Sequence, residues 1–230
     1  SPEEQEITKG PAKKRRVFFD KLFSITSKKY LHIIQKYNKV LKQRNAILKL
    51  KKDINDKIKI IQPWNQLIIE KGLLLWEERI KNFKKYNNLF NKIMKKYDIK
   101  ANMSLSYKEK IENDYKNEIE KNIEKDNYYK RTTFGPHLDD FVFYWNNTPI
   151  RKLGSQGEHK TFLVLLKLTE LKYIKTITKE FPILLLDDLF ATIDVERSKK
   201  IIKVINNLEK EEKKTIQTII TTTDMFKLET

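Results

Sequence analysis

Near its carboxyl end the chain reads Pro182-Ile183-Leu184-Leu185-Leu186-Asp187-Asp188. Four apolar residues behind a proline, stopped by two carboxylates, form the pattern of a fully buried strand in a parallel sheet. In open α/β sheets, ligands sit at the carboxyl ends of such strands. A strand that closes on aspartate also has the form of a Walker B element. In that form Asp187 holds Mg²⁺, usually through water, and Asp188 faces a γ-phosphate and orients the attacking water. A surface turn after a buried strand would carry the same two residues.

The neighbouring segments extend the α/β reading. A helix is predicted from Val195 to about Leu208, followed by a Thr/Ile-rich strand at 215–222. Upstream, Phe141-Val142-Phe143-Tyr144-Trp145 is strand-like. Asn146-Asn147 is a turn signal, and Thr148 to Lys152 returns as a partner strand. A helix from about Glu158 to Ile177 carries Phe162, Leu163, Leu166 and Leu171. Just before it, Ser155-Gln156-Gly157-Glu158 places a hydroxyl and a glycine at a helix start, where backbone N–H groups can meet an anion. The same four residues also read as a capping box. Asp187 lies 32 residues after Ser155, with one helix and one strand between. Gly135-Pro136-His137-Leu138-Asp139-Asp140 opens with a turn signal, and His137, Asp139 and Asp140 group as a polar loop without an assigned role.

The first 130 residues have a different texture and read as a helical lobe of long antiparallel helices. A short helix is expected at 11–24, with Val17, Phe18 and Leu22 on one side. A long amphipathic helix is expected at 27–59, with Tyr30, Leu31, Ile34, Tyr37, Val40, Leu41 and Leu48 inward. Pro63 marks a break or a helix start, after which a second long helix carries Trp64, Leu67, Ile68, Leu75, Phe83, Phe90 and Ile93. A short strand at 99–107 and a helix at 108–127 complete the lobe. The expected division is thus 1–130, helical, and 131–230, α/β.

Charge is uneven along these parts. Of 48 basic residues 41 are lysine, and residues 1–60 carry a net +11 of the chain's +17. Such a field steers a polyanion and weakens with salt. Arg15, Arg16, Lys28, Lys39, Lys42 and Arg44 are the expected DNA contacts. A lysine-rich solvated surface is the plainer alternative. With no cysteine, disulfides, thiolate nucleophiles and cysteine-ligated metals are excluded. No apolar run approaches the roughly 18–20 residues that span a bilayer. No Gly-x-x-x-x-Gly-Lys-Ser/Thr phosphate loop occurs among the 5 glycines, so the chain alone is expected to be incapable of ordinary ATP turnover. The opening Ser1-Pro2-Glu3-Glu4 is expected to continue something longer.

Several of these segments, in one order, resemble the RecF family of recombination-repair ATPases, relatives of the SMC-type and ABC-type ATPases. The resemblance runs through Lys9-Gly10, Arg15-Arg16-Val17-Phe18-Phe19-Asp20 and Leu41 to Leu48. It continues through Arg131 to Asp140, Ser155 to Glu158, Leu184 to Asp188, Ala191-Thr192-Ile193-Asp194 and Thr221 to Asp224. It implies a cytoplasmic DNA-binding ATPase of repair, replication and the SOS response. Such a protein would use ATP and Mg²⁺, dimerise on ATP and recognise gapped or junction DNA. It would also work with recombination mediator proteins.

By that resemblance Ser155, Gln156, Gly157 and Glu158 are the ABC-type signature, acting on a nucleotide held by the partner copy. Asp187 is the metal ligand and Asp188 the catalytic base. Asp194 lies in the D-loop at the dimer seam, and Thr223 stands where transporter relatives carry a switch histidine. The chain departs from the family pattern at Leu138, His159 and Ala191, and it lacks the Walker A portion. Other SMC-like ATPases, and a nucleotide-free DNA-binding or structural relative, remain open readings.

Overall fold

The computed structural model describes residues 2–96, 102–109, 114–186 and 217–221, with positions 199, 202, 203 and 206. Of the expected helix from Val195 to about Leu208, only positions 199, 202, 203 and 206 are described, each helical; the residues Asp187, Asp188, Ala191, Asp194, Thr223 and Asp224 lie outside the described residues. The chain divides into two compact units that interleave along the sequence. A helical unit comprises Phe19–Phe83 and Tyr107–Asp140. A mixed unit comprises Ser1–Phe18, Lys84–Ser106 and Phe141–Thr230. The sequence expectation was a single cut at 130/131.

The elements are α1 (Pro2–Lys9), α2 (Ala12–Thr26), α3 (Lys28–Leu48), α4 (Ile54–Lys96), β1 (Met103–Lys108), α5 (Tyr115–Lys121), α6 (Ile123–Tyr129), β2 (Asp140–Trp145), β3 (Thr148–Pro149), α7 (Ile150–Leu153), α8 (Gln156–Thr178), β4 (Leu184–Leu186) and β5 (Thr218–Ile220).

In the helical unit, Ser27 caps α3 by accepting the Tyr30 N–H. The buried side chains of α3 are Tyr30, Ile33, Tyr37, Val40, Arg44, Ile47 and Leu48, an alternation of three and four that runs the length of the helix. This seam lies beside the expected one, because Leu31 faces solvent and Ile34 and Leu41 flank it. The helix expected to reach residue 59 stops at Leu48. Asp53 then starts α4, its carboxylate accepting the Asn55 N–H. Pro63, the expected break, sits inside α4 instead. Pro63 and Lys59 are both exposed, so the carbonyl left without a donor lies on the wet side of the helix. Gly72 admits the Tyr115 ring, since a Cβ there would lie 2.7 Å from Tyr115 Cε1. The expected helix at 108–127 is two helices, α5 and α6, divided at Asn122.

In the mixed unit, β1, β2 and β3 form one sheet, with β2 and β3 antiparallel. The hairpin between them turns on Asn146 and Asn147, at φ 47° and 63°, as the Asn-Asn signal predicts. Phe141, Phe143 and Trp145 are buried at period two, and Phe143 stacks on Phe162 of α8 with ring centroids 5.3 Å apart. Helix α8 is buried on nearly every side from Phe162 to Leu166 and packs against α1. Tyr86 of α4 donates its hydroxyl proton to the Leu166 carbonyl at 2.7 Å.

Strands β4 and β5 pair in parallel, Leu184 opposite Thr218 and Leu185 opposite Ile219. The parallel pairing agrees with the sequence reading. Full burial does not: Leu184 is buried, while Ile183 and Leu185 are 57% and 65% exposed. Among the described residues β5 is the one strand beside β4, and with a period of two β4 buries Leu184 while its neighbours Ile183 and Leu185 face outward.

Candidate functional site

Of the expected nucleotide-contact residues, Ser155 to Glu158 are described. They open α8. Ser155 Oγ accepts the Glu158 N–H at 3.3 Å, and the Glu158 carboxylate accepts the Ser155 N–H at 2.8 Å. The capping box read from the sequence is therefore formed. It leaves the Ser155 hydroxyl exposed with a proton to donate, and the first-turn N–H groups of Gln156 and Gly157 without intrahelical acceptors. Those donors fit a phosphate oxygen. The Glu158 carboxylate shares this helix end, so an arriving anion meets one negative charge there. Directly beneath, His159 is buried, and burial and then Lys9 hold its pKa below the usual histidine value.

The sequence places the remaining nucleotide residues, Asp187, Asp188, Asp194 and Thr223, outside the described part. Among the described residues, no group of three or more His, Asp or Glu could hold a metal ion.

The expected DNA contacts fall into two sets. Lys28, Lys39 and Lys42 are exposed on α3, with Lys36 and His32 between them. Arg16 is half-buried. Arg15 and Arg44 are corrected: both are buried. Arg15 donates to the Gly10 carbonyl at 2.8 Å. Arg44 is fully enclosed. It donates to Asp126 at 2.6 Å, to Thr132 Oγ1 at 2.7 Å and to Asn65 at 2.8 Å. Its charge is spent inside the helical unit and cannot meet a phosphate at the surface.

The Gly-Pro-His stretch belongs to the same interior. Gly135 has φ +136°, and a Cβ there would lie 2.8 Å from Tyr115 Oη and 2.9 Å from Tyr37 Oη. His137 Nε2 lies 3.0 Å from the Thr132 carbonyl, which can only accept. The ring therefore carries its proton at Nε2, and in its neutral form it takes the Tyr37 hydroxyl proton at Nδ1 across 2.7 Å.

Asp139, expected in a polar loop, is buried. It accepts from Trp76 Nε1 at 2.8 Å, from Arg79 at 3.1 Å and from the Tyr107 hydroxyl. Arg79 also holds Asp20 at 3.0 Å and donates to the Pro136 carbonyl at 2.8 Å. Burial, reinforced by Asp139, pushes the Tyr107 phenol up. Asp140 begins β2 at partial exposure.

Sequence reasoning missed Arg79, Trp76, Asp20 and Asp126. The available signal was an arginine on an apolar seam, at Arg44 and again at Arg79, because an arginine there must bring a buried carboxylate with it.

No family model matches the chain. It is 37% identical over 98% of its length to the DNA replication and repair protein RecF of Lachnoclostridium phytofermentans, and 36% identical over 98% to that of Clostridium novyi. Two solved structures of the recombination mediator protein RecF in the RecFOR pathway, RecF-ATP and RecF-ATPrS, superpose with TM-scores of 0.77. They cover 97% of the chain at 28% and 26% identity. The chain spans about three fifths of the length of the relatives it matches, 61% and 62% for the first two. The chain is thus homologous to the RecF proteins and shares their mixed α/β and helical fold over nearly its whole length.

Proposed function

We propose that this chain forms the helical lobe and the signature-to-Walker-B part of a RecF-type ATPase acting in recombinational repair and replication. The observation that carries the reading is collinear identity across 98% of the chain. Ser155, exposed, and Gly157, half-buried, open α8, and they are the residues that the resemblance assigns to the signature.

On this reading the whole protein binds ATP and Mg²⁺, dimerises on ATP and engages gapped or junction DNA with mediator proteins. When bound, ATP supplies the free energy of that cycle. Ser155 and Gly157 donate hydrogen bonds to a nucleotide bound by the partner copy. Asp187 would hold the metal, Asp188 would serve as the base for the attacking water, and Asp194 would belong to the D-loop of the dimer seam. Thr223 replaces a switch histidine, which favours slow turnover. Without a phosphate loop this chain alone is expected to show no ATP hydrolysis above background. Turnover that Asp188→Ala abolishes would overturn that point.

The exposed lysines of α3 are the proposed DNA face. Lys28 and Lys39 lie eleven residues apart and so nearly eclipse around the helix. Phosphate contacts release counterions, so affinity for duplex DNA falls steeply with salt. The test is a salt titration of the chain, of Lys28→Glu/Lys39→Glu/Lys42→Glu, and of a control, Lys92→Glu/Lys95→Glu/Lys179→Glu. The first variant loses far more affinity than the control and has a shallower salt slope. Equal losses would reduce the ridge to nonspecific charge. Among the described residues, no helix is long and apolar enough to cross a membrane.

A further inference from the structure

The end of α6 reads Lys125-Asp126-Asn127-Tyr128-Tyr129-Lys130-Arg131. Tyr128 is 80% exposed and Tyr129 52%. Their rings meet edge to face with centroids 5.1 Å apart, and the Arg131 guanidinium lies 5.9 Å from the Tyr129 ring centre. Lys125, Lys130 and Arg131 are exposed around them, with Glu124 the one exposed acid on α6.

This corner is tied down on every side. Asp126, between the basic residues and the rings, is fully buried against Arg44 and also accepts the Thr133 N–H at 2.8 Å. Lys57 holds Asn127 at 2.8 Å. Lys130 turns the chain in the left-handed region at φ 52°, and the Arg131 N–H bonds back to the Asp126 carbonyl at 3.1 Å. Asn45 of α3 accepts both the N–H and the hydroxyl of Thr132.

The backbone that carries the rings is thus pinned, and the rings themselves stand in solvent, where they add little to folding. Two aromatic faces on a fixed, basic corner suit one kind of occupant. Every nucleobase has a π-face, and stacking on tyrosine needs no sequence. The surrounding cations complement phosphate and suit a polyanion better than an apolar protein surface. A duplex keeps its base faces against one another, so only unpaired bases are available. We propose that Tyr128, backed by Tyr129, is a stacking platform for unpaired bases of single-stranded DNA, with Lys125, Lys130 and Arg131 meeting the flanking phosphates. This rests on the reading above that DNA is the ligand, and it adds a site for the single-stranded side of a gap.

The test measures fluorescence anisotropy of the 230-residue chain with a labelled oligothymidylate of about 20 nucleotides and with a blunt duplex of similar length. Tyr128→Ala weakens oligothymidylate binding about tenfold, the effect of losing one stacked base. Tyr128→Trp retains it, and duplex affinity changes less than about twofold for either variant. Both substitutions are at an exposed position, and circular dichroism confirms an unchanged fold. Unaltered oligothymidylate binding by Tyr128→Ala would overturn the proposal. An equal fall for duplex and single strand would also overturn it. A chain that binds duplex but not oligothymidylate removes the platform and leaves the DNA reading standing. A chain that binds neither removes both.

Discussion

Arg44 occupies a position that the α3 pattern reserves for an apolar side chain. Its guanidinium is enclosed, and so is the carboxylate it holds, at 0% and 1% exposure. Removing one member of such a pair leaves the other as an uncompensated charge. Arg44→Ala is therefore expected to cost about 3–5 kcal/mol in urea denaturation, whereas Lys39→Ala, on the exposed side, stays within about 0.5 kcal/mol. A loss below about 1 kcal/mol for Arg44→Ala would mean that Asp126 is rehydrated. This is also where the sequence was least informative. Lysines at 28, 39 and 42 are legible as surface because nothing apolar shares their face. The burial of Arg44 depends on Asp126, 82 residues away, and no local pattern names that partner.

Helices and turns were easier to read than their register. The Asn146-Asn147 hairpin and the Ser155 capping box follow from chemistry within four residues, and both are present. The facing of α3 needed a choice between two interleaved apolar rows. Ile33 is 7% exposed and Leu31 is 38%. Ile33→Ala is expected to destabilise by about 2–4 kcal/mol and Leu31→Ala by less than about 1 kcal/mol. Equal costs would return the seam to the row containing Leu31, Ile34 and Leu41. The two rows differ by one residue in a helix rich in isoleucine and leucine, so periodicity alone could not separate them. What separates them is the aromatic and charged pairing across the unit: Tyr30 bonds Asp20 at 2.5 Å, and Tyr37 bonds His137.

Across the whole molecule, five phenols share one condition. Burial raises the pKa of Tyr30, Tyr37, Tyr86, Tyr107 and Tyr115 above the ordinary value of about 10. The folded chain keeps these protons while the unfolded chain releases them above that pH. Stability is thus unaffected by them below about pH 10 and falls as pH rises beyond it, by up to about 1.4 kcal/mol per pH unit for each phenol. Phenolate absorbance followed together with circular dichroism should show part of the 10 tyrosines ionising only as helix is lost. Complete ionisation before any loss of helix would refute this. The interleaving of the units carries a different consequence, one that begins on the ribosome. Asp126 and Thr132 follow Arg44 by 82 and 88 residues, and Asp139 follows Arg79 by 60. At about 5–20 residues per second, Asp126 is added about 4–16 s after Arg44. In that interval Arg44 belongs to a nascent chain whose one carboxylate partner has not been translated, while Arg79, once made, has Asp20 behind it but not yet Asp139. The helical unit therefore completes its native pairing only after Asp140 has left the exit tunnel, however fast its helices coil.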